Sequence, residues 1–183
     1  VAVFGGKRGL LGQALVRALA RAKAQPLALS SEDFDPLDAR ALERFLQDER
    51  PDWVCNAAAY TAVDLAEDEP AAAYRLNRDL PALLGRACGE RGLLLVHFST
   101  DFVFGGDSQE PYKPGDEPHP LSVYGGSKLA GEQTLAGLSD VLILRTAWLF
   151  GPGRSNFVAK ILDLAKTREE LAVVHDQEGS PTY

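Results

Sequence analysis

Short apolar runs alternate along the chain with longer segments whose apolar positions recur every three and four residues. The runs Val1 to Phe4, Pro26 to Leu29, Asp52 to Asn56, Leu93 to Ser99, Val141 to Arg145 and Leu171 to Val174 read as strands buried on both faces. Between them, Leu11 to Ala24, Asp38 to Glu49, Ala71 to Arg91, Ser122 to Gly137 and Asn156 to Thr167 carry helical spacing. Strands alternating with helices in this way predict an α/β fold, a doubly wound parallel sheet of Rossmann type. Such crossovers are right-handed, and the expected order of the six strands is 3-2-1-4-5-6, with ligands at their carboxyl ends. One long irregular stretch, Asp101 to Pro120, is rich in Gly, Pro and acids, and is expected to lie over the site.

The length of 183 residues fits one such domain over residues 1–183. A composition of 45% hydrophobic and 25% charged residues suits a chain that buries a core without staples. Nineteen basic against 26 acidic side chains leave a net charge of -7, which argues against nucleic acid and anionic lipid as partners. No apolar run approaches the roughly 18–20 residues of a membrane span, and the N-terminal stretch lacks a signal-sequence layout. Cys55 and Cys88 are expected to be buried free thiols in a reducing compartment, so the cytoplasm is the expected location. Val1 already lies within an apolar run, methionine is absent, and Pro181-Thr182-Tyr183 closes no element, a pattern expected of part of a longer gene product.

Gly6, Gly9 and Gly12 follow the first run directly and open the first helix. Glycines there permit a tight turn, let a pyrophosphate approach the backbone, and let helix and strand pack closely, while the helix N-terminus favours an anion. A plain glycine-rich turn is the alternative reading. The acid that usually grips the adenosine ribose is not cleanly present. Ser30 and Ser31 occupy the tip of the second strand, and with Lys7 and Arg8 nearby they lean toward NADP(H) over NAD(H). Lys7 and Arg8 read equally well as solvated loop charges. Tyr124 and Lys128 stand at i and i+4, on one helix face, where an ammonium is expected to favour the phenolate and lower the phenol's titration toward working pH. The hydroxyl pair Ser99-Thr100 ends the fourth strand at the same sheet edge, so three groups can converge on one carbonyl.

Together with the glycine loop, five further segments resemble the extended short-chain dehydrogenases, and within them the dTDP-4-dehydrorhamnose reductase family. They are Asn56-Ala57-Ala58-Ala59-Tyr60-Thr61-Ala62-Val63-Asp64, Ser99-Thr100-Asp101-Phe102-Val103-Phe104, Tyr124-Gly125-Gly126-Ser127-Lys128-Leu129-Ala130-Gly131-Glu132, Arg145-Thr146-Ala147-Trp148 and Asp176-Gln177-Glu178-Gly179-Ser180-Pro181-Thr182. The resemblance implies reduction of the C4 ketone of a dTDP-6-deoxy-hexulose by NAD(P)H. It implies Tyr124 as proton donor to the ketone, Thr100 as its hydrogen-bond partner, and Lys128 on the nicotinamide ribose. It extends the cofactor-binding set to Gly6, Lys7, Gly9, Leu10, Leu11, Gly12, Ser30, Ser31, Asp35, Pro36, Ala57, Ala58, Ala59, Tyr60, Asn77, Tyr124 and Lys128. At the sugar it implies Thr100, Asp101, Phe102, Tyr124 and Trp148.

Two residues depart from the family pattern: Phe102 stands where tyrosine is common, and Pro36 replaces a branched apolar residue beside the adenine. Family members also continue well beyond this length, and their C-terminal part contributes much of the sugar pocket. Some use Mg²⁺ at a dimer contact, but those carboxylates are not all in this segment, so no metal is expected; a homodimer is among the partners the resemblance allows. Two other readings stand beside the reductase. One is an epimerase or dehydratase of the same superfamily that returns its hydride. The other is a non-catalytic NADP-binding regulatory subunit similar to the β subunit of methionine adenosyltransferase.

Other tempting residues read as structural. His97 lies inside an apolar strand and reads as a core histidine; His119 and His175 have no partner at ligand spacing. Asp64, Glu67, Asp68 and Glu69 read as a solvated face. Ser99 lacks the Gly-x-Ser-x-Gly elbow of an esterase nucleophile.

Overall fold

Strand β1 (Ala2–Phe4) is buried at every residue, and the rest of the sheet is arranged around it. The computed structural model describes residues 1–183. Strands β2 (Leu27–Leu29), β3 (Trp53–Asn56), β4 (Leu94–Thr100) and β5 (Val141–Thr146) complete a parallel sheet in the order β2-β1-β3-β4-β5. Two expectations are corrected. The third strand pairs with the first, Val3 opposite Cys55, and does not lie outside the second, so the order 3-2-1-4-5-6 does not hold. Periodicity states that a strand is buried but not which strand covers its edge; β2, buried only at Leu29, is an edge. The second correction concerns Leu171 to Val174, which forms no strand. No neighbour offers it a ladder, and Val173 and Val174 remain exposed. Beyond β5 the chain makes only a single parallel bridge, Leu149 with Thr182.

The crossover β1–α1 (Leu10–Arg21)–β2 runs one way, and β2–α2 (Ala39–Glu49)–β3 returns across β1. The two helices therefore cover opposite faces of the sheet. The alternation along β1 serves both: Ala2 and Phe4 join Leu42, Leu46, Val54, Leu84 and Leu95, while Val1 and Val3 join Cys55, Val96 and the α1 residues Leu15, Val16 and Leu19. Asp38 caps α2 by accepting from the backbone of Arg40 and Ala41. The acidic stretch after β3 forms a short helix, α3 (Val63–Asp68), with only Ala66 buried.

Residues Ala71 to Arg91, expected as one helix, are two: α4 (Pro70–Tyr74) and α5 (Leu80–Gly89), joined by a π turn over Arg75–Asp79. Pro81 has no N–H to donate to the Asn77 carbonyl four residues back, so the α-helical ladder cannot continue through this point. Helix α6 (Val123–Leu135) packs against the turn so closely that a Cβ at Gly131 would stand 2.1 Å from the Asn77 carbonyl oxygen. Helix α7 (Phe157–Leu164) is capped by Asn156. No helix is long and apolar enough to cross a membrane.

Gly131→Ala forces α6 away from backbone that cannot yield, and should lower stability by about 1–3 kcal/mol in urea unfolding. Gly89→Ala, with nothing within 4 Å of the added carbon, should leave the midpoint unchanged or raise it.

Candidate functional site

All five strands end at one edge, and the loops leaving them enclose a cleft of about 790 Å³. At the β1 end Gly5 adopts φ 80°, and its backbone lies so near Ala57 that a Cβ would stand 2.9 Å from the Ala57 carbonyl. Gly9 precedes α1 and offers no side-chain cap, which leaves the first-turn N–H groups of α1 free for an anion. Gly9, Leu10 and Leu11 line the cleft. Gly6 and Gly12 do not; they serve packing, and a Cβ at Gly12 would stand 2.2 Å from the Gly5 carbonyl oxygen.

Ser30, Ser31 and Pro36 line the cleft beside the glycine loop. Lys7 pairs with Asp33 and holds that carboxyl below its ordinary range, while Arg8 pairs with Glu32. Of the two bases, only Arg8 reaches the cleft wall. Asp35 turns away from the cleft, accepting from the Leu37 backbone and pairing with Arg75 at 3.4 Å. After β3, Ala57, Ala58 and Ala59 form a low wall. Tyr60 and Asn77 lie outside the cleft. Buried Asn77 accepts from the Tyr60 N–H at 2.9 Å and donates to the Tyr60 carbonyl and to Ser127 Oγ, so it binds the alanine segment to α6.

At the β4 and α6 end stand Thr100, Tyr124 and Lys128, all on the cleft wall. Ser122 caps α6 through the Gly125 N–H and thereby sets the turn that carries Tyr124. The Thr100 hydroxyl donates to Asp101 at 3.1 Å and accepts from the Phe102 N–H. Burial pushes the Tyr124 phenol above its ordinary value, the neighbouring Thr100 hydroxyl opposes this, and the Asp101 charge adds to it. This corrects the expected lowering by Lys128. The ammonium is only 2% exposed and donates to the Phe98 carbonyl at 2.6 Å, and burial pushes its own titration down to about 8, against the pull of Glu132. Asp101, Phe102 and Trp148 complete this end, with the Phe102 ring edge-on to Tyr124 at 5.6 Å.

Several cleft residues were not singled out from sequence: Phe34, Leu76, Thr146, Leu149 and Arg154. Phe34 stacks on Phe45 and meets the buried Phe4 edge-on, and lines the cleft with Pro36. Arg154 donates to the Arg8 carbonyl across the mouth. For Phe34, Thr146, Leu149 and Arg154 the signal was position, since the ends of strands and the segments that follow them lie at the carboxyl edge whatever their composition; Leu76, in the π turn, carried no such signal. No group of three or more His, Cys, Asp or Glu side chains converges as a metal site. His97 accepts from Asn56 at 3.1 Å within the sheet, and burial pushes it down to about 3.

The His97 shift gives a pH test. Folded His97 stays neutral down to about pH 3, whereas the unfolded side chain takes up a proton near 6.5. Between these values the unfolded state binds more protons, so stability falls as pH drops from 6.5 toward 3. Urea midpoints across that range should show a shallower acid limb for His97→Gln than for the parent chain.

Residues 2–183 match the family model described as the RmlD substrate binding domain. The chain is 44% identical over 187 aligned positions to a dTDP-4-dehydrorhamnose reductase of Mycobacterium tuberculosis, covering 99% of this chain and 61% of the relative. It thus spans about three fifths of the curated relatives' length. A crystal structure of dTDP-4-dehydrorhamnose reductase from Bacillus anthracis in complex with NADP superposes with a TM-score of 0.94 at 38% identity, over 100% of this chain and 65% of that one. A UDP-glucose 4-epimerase from Brucella ovis in complex with NAD shares the fold, with a TM-score of 0.75 at 24% identity over 82% of this chain and 52% of that one.

Proposed function

The chain belongs to the RmlD substrate binding domain family, and from that premise we propose that the protein reduces the C4 ketone of dTDP-4-dehydro-6-deoxy-L-mannose to dTDP-L-rhamnose with NADPH or NADH, in the cytoplasm. The observation that carries this reading is the presence of Thr100, Tyr124 and Lys128 on the wall of the same cleft as the glycine loop. The 44% identity to a reductase of that name supports the substrate class, and the NADP held by the 38% identical Bacillus anthracis structure supports the cofactor.

The residues fit a dinucleotide. The uncapped N-terminus of α1 and the side-chain-free backbone at Gly5 and Gly9 suit a pyrophosphate; Phe34 and Pro36 suit an adenine; Ala57 to Ala59 leave room for a ribose to lie against the sheet. The exposed pairs Lys7–Asp33 and Arg8–Glu32 cost little to break, so either base can turn to a 2′-phosphate. When bound, the reduced nicotinamide supplies a hydride to the ketone carbon.

The protein's own part is to hold a proton and place the carbonyl. The raised phenol of Tyr124 keeps its proton at neutral pH, so the resting side chain is already the acid required. Thr100 stands beside the phenol on the same cleft wall, where its hydroxyl can share the ketone oxygen. Lys128 brings positive charge beneath the oxygen that gains negative character, in a site where burial strengthens that interaction. Trp148, held at φ 47°, offers an apolar wall to the sugar.

Tyr124→Phe removes the proton donor and little else. It should lower kcat by at least 10²-fold while cofactor affinity changes by less than about threefold, as read by nicotinamide fluorescence. A parallel loss of cofactor binding would make Tyr124 structural. The reaction itself is tested by following NADPH and NADH oxidation with dTDP-6-deoxy-L-lyxo-4-hexulose generated in place from dTDP-glucose. Oxidation coupled to dTDP-rhamnose formation is expected; cofactor binding without net oxidation would instead favour a cycle that returns its hydride to the sugar.

A further inference from the structure

Among the polar groups on the cleft wall, one is buried and has no partner. Ser99 is 5% exposed, its Oγ makes no hydrogen bond, and the residue lines the cleft. Its backbone is already committed, since its carbonyl accepts from the Thr146 hydroxyl at 3.2 Å and the residue pairs with Arg145 in the β4–β5 ladder. Only the side-chain hydroxyl is left over. Its neighbour Thr100 is the opposite case, donating to Asp101 and accepting from the Phe102 N–H. A buried hydroxyl left unpaired is costly, and native structures satisfy such groups with few exceptions.

Lys128 has spare capacity on the same wall. An ammonium carries three donors, and this one, 2% exposed, donates to the Phe98 carbonyl, one residue from Ser99. Lysine can only donate, whereas a serine hydroxyl can donate or accept. The group that completes both must present neighbouring oxygens able to accept from one partner and exchange with the other, and a vicinal sugar diol does so. His97 Nε2 is also unpaired, but His97 does not line the cleft and takes no part.

We propose that Ser99 Oγ hydrogen-bonds a hydroxyl of the nicotinamide-side ribose, beside Lys128, and so is a positioning residue for the reactive half of the cofactor. This rests on the dinucleotide reading above. It assigns Ser99 a role distinct from Thr100, which faces the ketone: Ser99 fixes the ribose, and through it the plane of the attached ring.

The test compares dissociation constants of the full-length gene product and its Ser99→Ala variant for two ligand pairs, NADPH with 2′,5′-ADP and NADH with ADP. ADP retains the adenosine and both pyrophosphate phosphorus groups, 2′,5′-ADP retains the adenosine with its 2′- and 5′-phosphates, and neither carries the nicotinamide ribose. Loss of one hydrogen bond in the variant should weaken the dinucleotide by about 5- to 15-fold and change the fragment by less than about twofold. Equal weakening of dinucleotide and fragment would overturn the proposal in favour of a structural role. No weakening of either would overturn it by showing that the hydroxyl is satisfied without the ligand. Failure of the parent protein to bind either dinucleotide would overturn the nicotinamide reading itself, a result that does not depend on Ser99.

Discussion

The site depends on the burial of one ammonium group. Taking a lysine out of water costs several kcal/mol, and Lys128, 2% exposed, recovers part of that through the Phe98 carbonyl and the charge of Glu132 one helical turn on. The arrangement requires α6 to lie almost against the ends of β4 and the π turn. Gly125 and Gly131 allow the approach, since a side chain at either would meet the backbone of Phe102 or Asn77 within 2.2 Å. Asn77 and Ser127 then fasten the contact, with the Ser127 hydroxyl donating to the Tyr124 carbonyl at 2.7 Å. Tyr124 is held where it is because Lys128 is buried one turn further along the same helix.

The same helix ties the long loop to the chemistry. Glu132 accepts two hydrogen bonds from Arg145, at 3.0 and 2.7 Å, and the guanidinium also donates to the Pro114 carbonyl and lies over the Phe104 ring. Phe104 in turn stacks on Tyr112 at 4.3 Å. A carboxylate that supports the charge of Lys128 thus also anchors the loop that follows Thr100, Asp101 and Phe102. Tyr124, Lys128 and Glu132 recur at intervals of four, and the Glu132 carboxylate acts on the Lys128 ammonium because little water separates them.

Much of this was legible in the residues. Alternating apolar runs and helical segments marked five of the strands and the main crossover helices, because burial on both faces leaves an unbroken apolar run. Gly5 to Gly12 marked a tight turn at the head of α1, because only glycine allows backbone to approach backbone so closely there. The failures have physical causes as well. Leu171 to Val174 has the composition of a strand, yet strand formation needs a partner edge, and composition does not supply one. The position of β3 beside β1 depends on which edge is free, and periodicity is blind to that. Asp35, Tyr60 and Asn77 are residues that the resemblance gives to the cofactor, and their side chains turn to Arg75, Glu69 and Ser127.

The order of residues was enough to set the class of fold, the glycine turn at the head of α1, and the spacing that puts Tyr124 and Lys128 on one helix face. Each follows from local rules: a helix has a fixed period, and glycine lacks a Cβ. The electrostatics came with the packing of the folded chain. Burial raises the phenol of Tyr124, lowers the ammonium of Lys128 to about 8, and leaves Ser99 without a partner. These depend on how much water and which dipoles surround each group, and residues distant in the chain supply both.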